Sequence, residues 1–540
     1  MKIKFLPLGK EIQANAGENL LNIAEKAGIL IDASCGGINK CGKCKVKIIG
    51  EQNYPLTKTE QKLLTPFEIA NHYRLACCFS IQSDLEVYIP DLHDSSARKK
   101  NMITLPEDFT SEKTNAFSTS HCYGVAFDIG TTTVVGMLWN LSNCTLIDTE
   151  ARTNYQCIHG SDVISRIQFC MEEPSHTKLM QEKVIQCLND ILKDIYIRNH
   201  IPPEQVSDVT LVGNTTMSHL VLGINPESLA HTPFAPSFCN AQTFSAKELG
   251  ILVNPEASIF LLPNIAGHVG SDIVGMILST HIYQYSGCHI AIDIGTNGEI
   301  VAIKDGKMIT CSTAAGPAFE GASIYHGMRA ASGAIESVRI ENGDILIKTV
   351  DDMAPIGLCG SGLIDTVAQL LESKIVEPTG RMLTRAEAIL SGIPSTLAKR
   401  IITTEAGLSF VLAYNESNRP IFVTQQDIRE VQLAKGAILA GIQTLMKTLD
   451  ISVQSIDSIL LAGAFGNYIN KQSALRIGLL PQLPIEKIIS VGNAAGVGAS
   501  MALLSDREKE IAIQSAKNTE HIELSTNMDF QEFFISAMSF

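Results

Sequence analysis

Apolar and polar positions alternate over residues 2–7 and again over 10–14, on either side of Gly9, and predict a hairpin at the start of the chain. Leu20, Leu21, Ile23 and Ala24 then share one face of a helix over 19–27, and short apolar runs at 44–49 and 85–89 predict further strands. From 92 to 121 the chain turns polar with no sustained period, which predicts a flexible linker on which residues 1–91 can swing. Past that stretch, apolar strands ending in Asp and a glycine turn alternate with helical segments, the longest over 428–447. The order predicts a multidomain protein of mixed α/β and α+β class.

Composition narrows the class. A chain of 540 residues with 45% hydrophobic residues supports packed cores, and at ~100–200 residues per domain it divides into roughly three or four. No run approaches the ~18 apolar residues of a membrane span, and the N-terminus lacks the apolar core of a signal peptide, so a soluble cytoplasmic protein with no membrane role is expected. A net charge of -14 without clustered Lys or Arg argues against nucleic acid as a partner. Fourteen Cys in such a chain are expected to be reduced, and most to pack as small apolar residues.

Five of the 14 fall between Cys35 and Cys78. Cys35-Gly-Gly-Ile-Asn-Lys-Cys41-Gly-Lys-Cys44 places three thiols in a glycine-bearing loop, and Arg74-Leu-Ala-Cys77-Cys78 follows. Thiolates so spaced wrap one metal centre, with glycines letting backbone N–H groups approach the sulfurs. A structural zinc site prefers two short CxxC pairs and fits poorly. Adjacent side chains of an extended segment point opposite ways, so one of Cys77 and Cys78 ligates. The segment resembles the plant and vertebrate [2Fe–2S] ferredoxins; the resemblance implies a β-grasp fold and Cys35, Cys41, Cys44 and Cys77 as ligands.

The rest of the chain contains a repeat. Tyr123-Gly-Val-Ala-Phe-Asp128-Ile-Gly130-Thr131-Thr132-Thr133 returns as His289-Ile-Ala-Ile-Asp293-Ile-Gly295-Thr296-Asn297-Gly298-Glu299, with the Asp residues 165 positions apart. In each copy the glycine admits a phosphate, N–H groups and hydroxyls can donate to its oxygens, and the Asp can face Mg²⁺ or a water. Gly213-Asn214-Thr215-Thr216 is expected at a first connection between halves, and Val491-Gly-Asn-Ala-Ala-Gly496-Val-Gly498 at a second. Gly463-Ala-Phe-Gly466-Asn467 suits the adenosine of a nucleotide. These motifs resemble the actin, sugar kinase and chaperone ATPases, in which two RNase H-like halves clamp ATP. That implies ATP and Mg²⁺ bound by Gly130, Thr131, Thr132, Thr133, Gly295, Thr296, Asn297, Gly298, Gly463, Gly466 and Asn467, with Asp128 and Asp293 catalytic and Glu299 and Glu320 weaker candidates.

Other residues have plainer readings. Gly357-Leu-Cys359-Gly360-Ser361-Gly362 suits an anion site or a tight helix start equally; Cys359 reads as a packed thiol, His268 and His326 as hydrogen-bonded histidines, and Glu430 and Lys435 as a solvated helix face.

Together, a cluster domain (1–91), a linker (92–121) and two RNase H-like halves (122–285, and 286–540 with an insertion) resemble the ATP-dependent reductive activators of corrinoid proteins. Asp162-Val-Ile-Ser-Arg166, Leu262-Pro-Asn-Ile-Ala-Gly267, Ala314-Ala-Gly-Pro-Ala-Phe-Glu320 and Gln426-Asp-Ile-Arg-Glu430 resemble that family as well. The resemblance implies return of a Co(II) corrinoid to Co(I) for a methyltransferase system, a corrinoid protein as partner, and a reduced ferredoxin or flavodoxin as electron donor; it leaves the oligomeric state open, with a homodimer as one option. The alternatives are an activator of a radical dehydratase or reductase and a redox-sensing chaperone-like ATPase.

Overall fold

The computed structural model describes residues 1–6, 9–29, 31, 37, 39, 42, 44–50, 54–64, 66–89, 103–112, 122–160, 162–466 and 468–540. Lys2–Leu6 and Lys10–Gln13 form the expected hairpin, and Lys2–Leu6 also pairs in parallel with Leu85–Tyr88. Lys45–Ile49 and Tyr73–Leu75 complete a five-stranded sheet. The helix Leu20–Lys26 lies across it, burying Leu20, Leu21, Ile23 and Ala24 as the pattern predicts, with the Asn19 side chain accepting from Leu21 N–H as its cap. Beside this β-grasp sheet, Glu60 is fully buried and receives Arg74 through two charge-assisted hydrogen bonds of 2.8 Å.

The two copies of the repeat begin two sheets of the same plan. In the first, Tyr123–Ile129 pairs antiparallel with Thr133–Asn140 and in parallel with Val206–Gly213, and Ser258–Leu261 extends the parallel side. In the second, Cys288–Ile294, Gly298–Lys304, Ile456–Ala462 and Ile488–Gly492 take the same places. The insertion in the second half carries two three-stranded sheets, built on Ala334–Glu341 and Gly407–Tyr414.

The halves exchange one helix each. Ser271–Thr280 follows the first sheet and packs Ile273, Met276 and Ile277 against Ala291, Val301 and Leu460 of the second. Ala494–Leu504 follows the second sheet and packs Val497, Ala499 and Met501 against Ala126 and Val212 of the first. A Cβ on Gly498 would lie 2.0 Å from the Gly275 carbonyl oxygen, so these helices cross backbone against backbone. The second connection is where the motif predicts it. The first is not: the Gly213 turn opens the helix Thr215–Val221, whose Met217 and Leu220 join the core of the first half, and the crossing helix starts after Gly270. Strand, glycine turn and helix describe both turns, and only the length of the connection behind them differs.

Residues 103–112 also depart from expectation. The polar composition predicts a flexible linker, but Ile103, Leu105 and Phe109 join the apolar cluster containing Trp139 and Leu503, and Ser111 Oγ donates to the Leu504 carbonyl at 2.6 Å. Three apolar side chains spaced among polar ones suffice to hold the stretch down. Among the described residues, no helix is long and apolar enough to cross a membrane.

A methyl group at the crossing has nowhere to go. Gly498→Ala is expected to destabilise the ATPase by about 1–3 kcal/mol, seen as a lower midpoint in denaturant unfolding of the full chain.

Candidate functional site

Two regions carry chemistry. In the first, Cys44 leads into the strand Lys45–Ile49 and Cys77 lies in a tight turn, Ala76–Cys78, that follows Tyr73–Leu75. Their sulfurs lie 3.1 Å apart, close enough for both to bind one iron. The turn is anchored on both sides. Glu60 accepts from the Leu75 N–H at 3.1 Å as well as from Arg74, and Asn19 Nδ2 donates to the Cys77 carbonyl at 2.7 Å. Gly37 and Gly42 adopt φ of +78° and +68°, which lets the ligand loop reverse where a side chain would be strained. The shared contact with Cys77 draws the Cys44 thiol down to about 7, and the same contact pushes Cys77 up, as one proton is shared between two close sulfurs. Cys35 and Cys41 lie outside the described residues. The thiol pair and its glycine loop fit an iron–sulfur cluster.

Cys77 and Cys78 are not in an extended segment. The helical turn brings their sulfurs to 3.8 Å rather than to opposite faces, and what separates them is depth: Cys77 is 8% exposed, whereas Cys78 is less buried and lies 3.4 Å from the Asn39 amide.

The second region is the cleft between the sheets. Gly130 N–H donates to the Thr133 carbonyl at 3.0 Å and Gly295 N–H to the Asn297 carbonyl at 2.9 Å, so each repeat closes a tight loop, the second one residue shorter. Glu320 spans them, accepting from Thr296 Oγ1 at 2.6 Å and from Thr132 Oγ1 at 3.4 Å. Asn214 Nδ2 donates to Thr131 Oγ1 at 2.9 Å, and Asn154 Nδ2 donates to the Gly130 carbonyl at 2.9 Å. Gly463, with φ +82°, approaches so closely that a Cβ there would lie 2.4 Å from Asp293 Oδ1, bringing the adenosine loop against the second phosphate loop. Asn467 lies outside the described residues.

Acidic side chains converge here. Burial and the charge of Asp128 push Asp293 up to about 7; burial and the charges of Asp293 and Asp128 push Asp272 up to about 8; burial, Asp272 and Asp293 raise Glu299 well above the usual carboxylate range. Asp272 carries no motif. It arrives because the crossing helix Ser271–Thr280 begins at the cleft. Among the described residues, no three His, Cys, Asp or Glu side chains are arranged to hold a metal ion directly. A ring of carboxylates set back from one another suits Mg²⁺ bound through its waters and a polyphosphate.

Several candidates fall elsewhere. Lys435 is not on a solvated face: it is 1% exposed, donates to the Ser539 carbonyl and lies 5.2 Å from the Phe540 ring. The chain's last residues cover that part of its helix. Glu430 bonds Gln426 on the surface, and Cys359 is buried against the Ile335 carbonyl. A Cβ on Gly362 would lie 2.2 Å from that same carbonyl, which accounts for the glycines as a tight helix start. His268 packs against Phe234 and His326 edge-on against Phe422.

Two RNase H-like sheets that exchange helices and present paired threonine loops define an actin-like ATPase, here joined to a ferredoxin-like domain. Comparisons agree part by part. Residues 3–82 match the 2Fe-2S iron-sulfur cluster binding domain, 123–285 the RACo middle region, and 287–540 the C-terminal domain of RACo, the ASKHA domain. The corrinoid activation enzyme RamQ of Eubacterium limosum is 35% identical over 76% of this chain and 69% of its own length. A Co(II) methylated amine-specific corrinoid protein reductase of Methanosarcina barkeri is 22% identical over 77% of each. A solved reductive activator for corrinoid,iron-sulfur protein aligns over 100% of this chain and 98% of its own, with a TM-score of 0.70 and 30% identity. The chain belongs to the family of reductive activators of corrinoid proteins.

Two outcomes follow from the geometry. Cys77→Ser is expected to abolish the visible absorbance and reduced-state EPR signal of the cluster, while Cys78→Ser keeps both; retention in the first variant would reverse the choice. In the cleft, the folded protein holds protons on Asp272 and Asp293 that the unfolded chain, with carboxyls near 3.8, gives up. Their contribution to stability therefore falls as pH rises from about 4 to about 8. Asp272→Asn should melt like the parent near pH 4 and at increasingly higher temperature toward pH 8, measured without nucleotide.

Proposed function

We propose that this protein reactivates a corrinoid protein of a methyltransferase system, using ATP to return Co(II) to Co(I). The observation that carries the reading is the joining in one chain of a thiol pair at 3.1 Å with a cleft in which Glu320 ties the two threonine loops. Cys35, Cys41, Cys44 and Cys77 would hold the [2Fe–2S] cluster, which supplies one electron at a time. Glu60, Arg74 and Asn19 fix the last of these ligands. A partner such as reduced ferredoxin or flavodoxin would replenish the electron.

Downhill electron transfer needs no nucleotide. A plant-type cluster works near ~-400 mV, and each ~59 mV of uphill one-electron transfer costs a factor of about ten in equilibrium population. ATP must therefore alter the acceptor's surroundings, and a clamp with two states does so only by holding the acceptor differently in each. Both halves contribute to the nucleotide site. Thr131, Thr132 and Thr133 from one and Thr296, Asn297 and Gly298 from the other would take the phosphates, with Gly463 and Gly466 beneath the adenosine. Glu320 would exchange its hold on Thr132 and Thr296 for a place beside the phosphates. Asp128 and Asp293 would hold Mg²⁺ through water and orient the attacking water. The acidic cleft gives Mg²⁺ a second role, since it relieves the repulsion among the carboxylates.

The test mixes the reduced protein, a Co(II) corrinoid protein and Mg-ATP, and follows the Co(I) absorption band. The band should appear with ATP and not without it. Asp293→Asn, with its cluster intact, should lose about 10²-fold or more in ATP hydrolysis and form no Co(I). Absence of Co(I) with every methyltransferase-system corrinoid partner would remove the reading.

A further inference from the structure

Among the described residues, an ion pair between the ferredoxin-like domain and the ATPase lies close to the first phosphate loop. Glu25, on the helix Leu20–Lys26, pairs with Lys183 Nζ at 2.6 Å and lies 3.9 Å from His159 Nε2. With side chains only 22% and 18% exposed, Glu25 and Lys183 are shielded from water and salt far better than an ordinary surface pair. The neighbouring Lys26 is occupied by Glu18 within its own domain. His159 is held flat by Phe169, at 4.5 Å between ring centres, and Phe169 is in turn stacked on His176 at 3.9 Å.

Behind this contact stands Arg166, which no part of the proposed chemistry uses. It is 0% exposed, and its donors are all taken up locally. Nε donates to the Gly160 carbonyl at 2.9 Å, Nη1 to Gln156 Oε1 at 3.1 Å, and Nη2 to the carbonyl of Thr131 in the phosphate loop. Gly160 follows His159 in the chain. Gln156 Nε2 donates to the carbonyl of Met180, one turn before Lys183 on the helix Pro174–Asn199. Each residue that receives Glu25 is thus one short step from a group held by Arg166, and Arg166 holds the loop that would take the phosphates. A guanidinium is a rigid plane of donors, so displacement of one acceptor turns the others or breaks a buried hydrogen bond. Gly160 also packs directly on Arg166, since a Cβ there would lie 2.8 Å from Arg166 N and 2.9 Å from its Cγ.

We propose that Lys183 and His159 form a docking site for the cluster domain, filled by Glu25, and that docking is coupled through Arg166 to nucleotide at the Thr131 loop. The inference rests on the reading that ATP occupies this cleft. Arg166 is a positioning residue in it and touches neither nucleotide nor cluster. Linkage is reciprocal: whatever factor docking applies to ATP affinity, ATP applies to docking. ATP would then govern how free the cluster domain is to leave the ATPase and meet the corrinoid.

The experiment measures the ATP dissociation constant of the full-length, cluster-loaded protein by equilibrium titration, in the parent, Glu25→Lys, Lys183→Glu and the double charge swap. Both single variants should shift the constant in the same direction by about fivefold or more, and the swap should return it to within about twofold of the parent. In an Arg166→Lys background, Glu25→Lys should have no further effect; should that background fail to fold, the swap series decides alone. Equal constants in all four proteins would overturn the coupling, and singles that shift without recovery in the swap would overturn the Glu25–Lys183 contact. A parent that binds no ATP would sink the cleft reading itself, which separates that failure from failure of the docking site.

Discussion

Gly275 and Gly498 meet where the two ATPase halves exchange helices, and the rest of the molecule depends on that crossing. Each helix leaves one sheet and buries its apolar face on the other, so neither half has a complete core without its neighbour. With no side chains between the backbones, the crossing acts as a pivot with a fixed separation. The clamp of the proposed function would change the distance between the paired loops at Thr131 and Thr296 by rotation about this crossing. The same crossing delivers Asp272 to the cleft, so hinge and site are built from one helix.

The cleft carries an electrostatic strain, relieved by protons on its carboxyls or by a bound cation. Burial and neighbouring carboxylates raise the proton affinity of Asp272, Asp293 and Glu299, with Asp128 acting on the first two, and Glu320 stands between hydroxyls of both loops. In the proposed function, Mg-ATP would replace carboxylate repulsion with attraction to the metal and draw both loops toward the same phosphates. The cluster domain is built the opposite way, with charges neutralised in place. Glu60 and Arg74 are a buried, mutually satisfied pair whose loss on one side would cost about 3–5 kcal/mol, and the pair holds the Cys77 turn still.

Much of this was legible in the chain. The duplicated Asp-Ile-Gly-Thr strands predicted both sheets because a strand, a glycine turn and a returning strand are local features, and the alternation in residues 2–14 predicted the hairpin for the same reason. What escaped depends on contacts distant in sequence. Asp272 reaches the cleft through the helix exchange, and Lys435 is buried by residues about a hundred positions further on. Ile103 and Phe109 lie in a stretch whose polar composition predicts a linker, and the surface they cover, with Trp139 and Leu503, comes from later in the chain. Cys77 and Cys78 were misjudged in geometry because a three-residue helical turn leaves no periodic trace. Arg166 was noticed only as part of a motif, since nothing local says which carbonyls it will find.

The central claim is that a single electron leaves the cluster for cobalt only when ATP works the clamp. Freeze-quench EPR tests it most directly, by following the reduced-cluster signal and the Co(II) signal in one sample of reduced protein and corrinoid partner. With Mg-ATP the two signals should disappear together, one for one, and without it both should persist. ATP hydrolysis that leaves the Co(II) signal intact, or equal loss of both signals with no nucleotide present, would contradict the account.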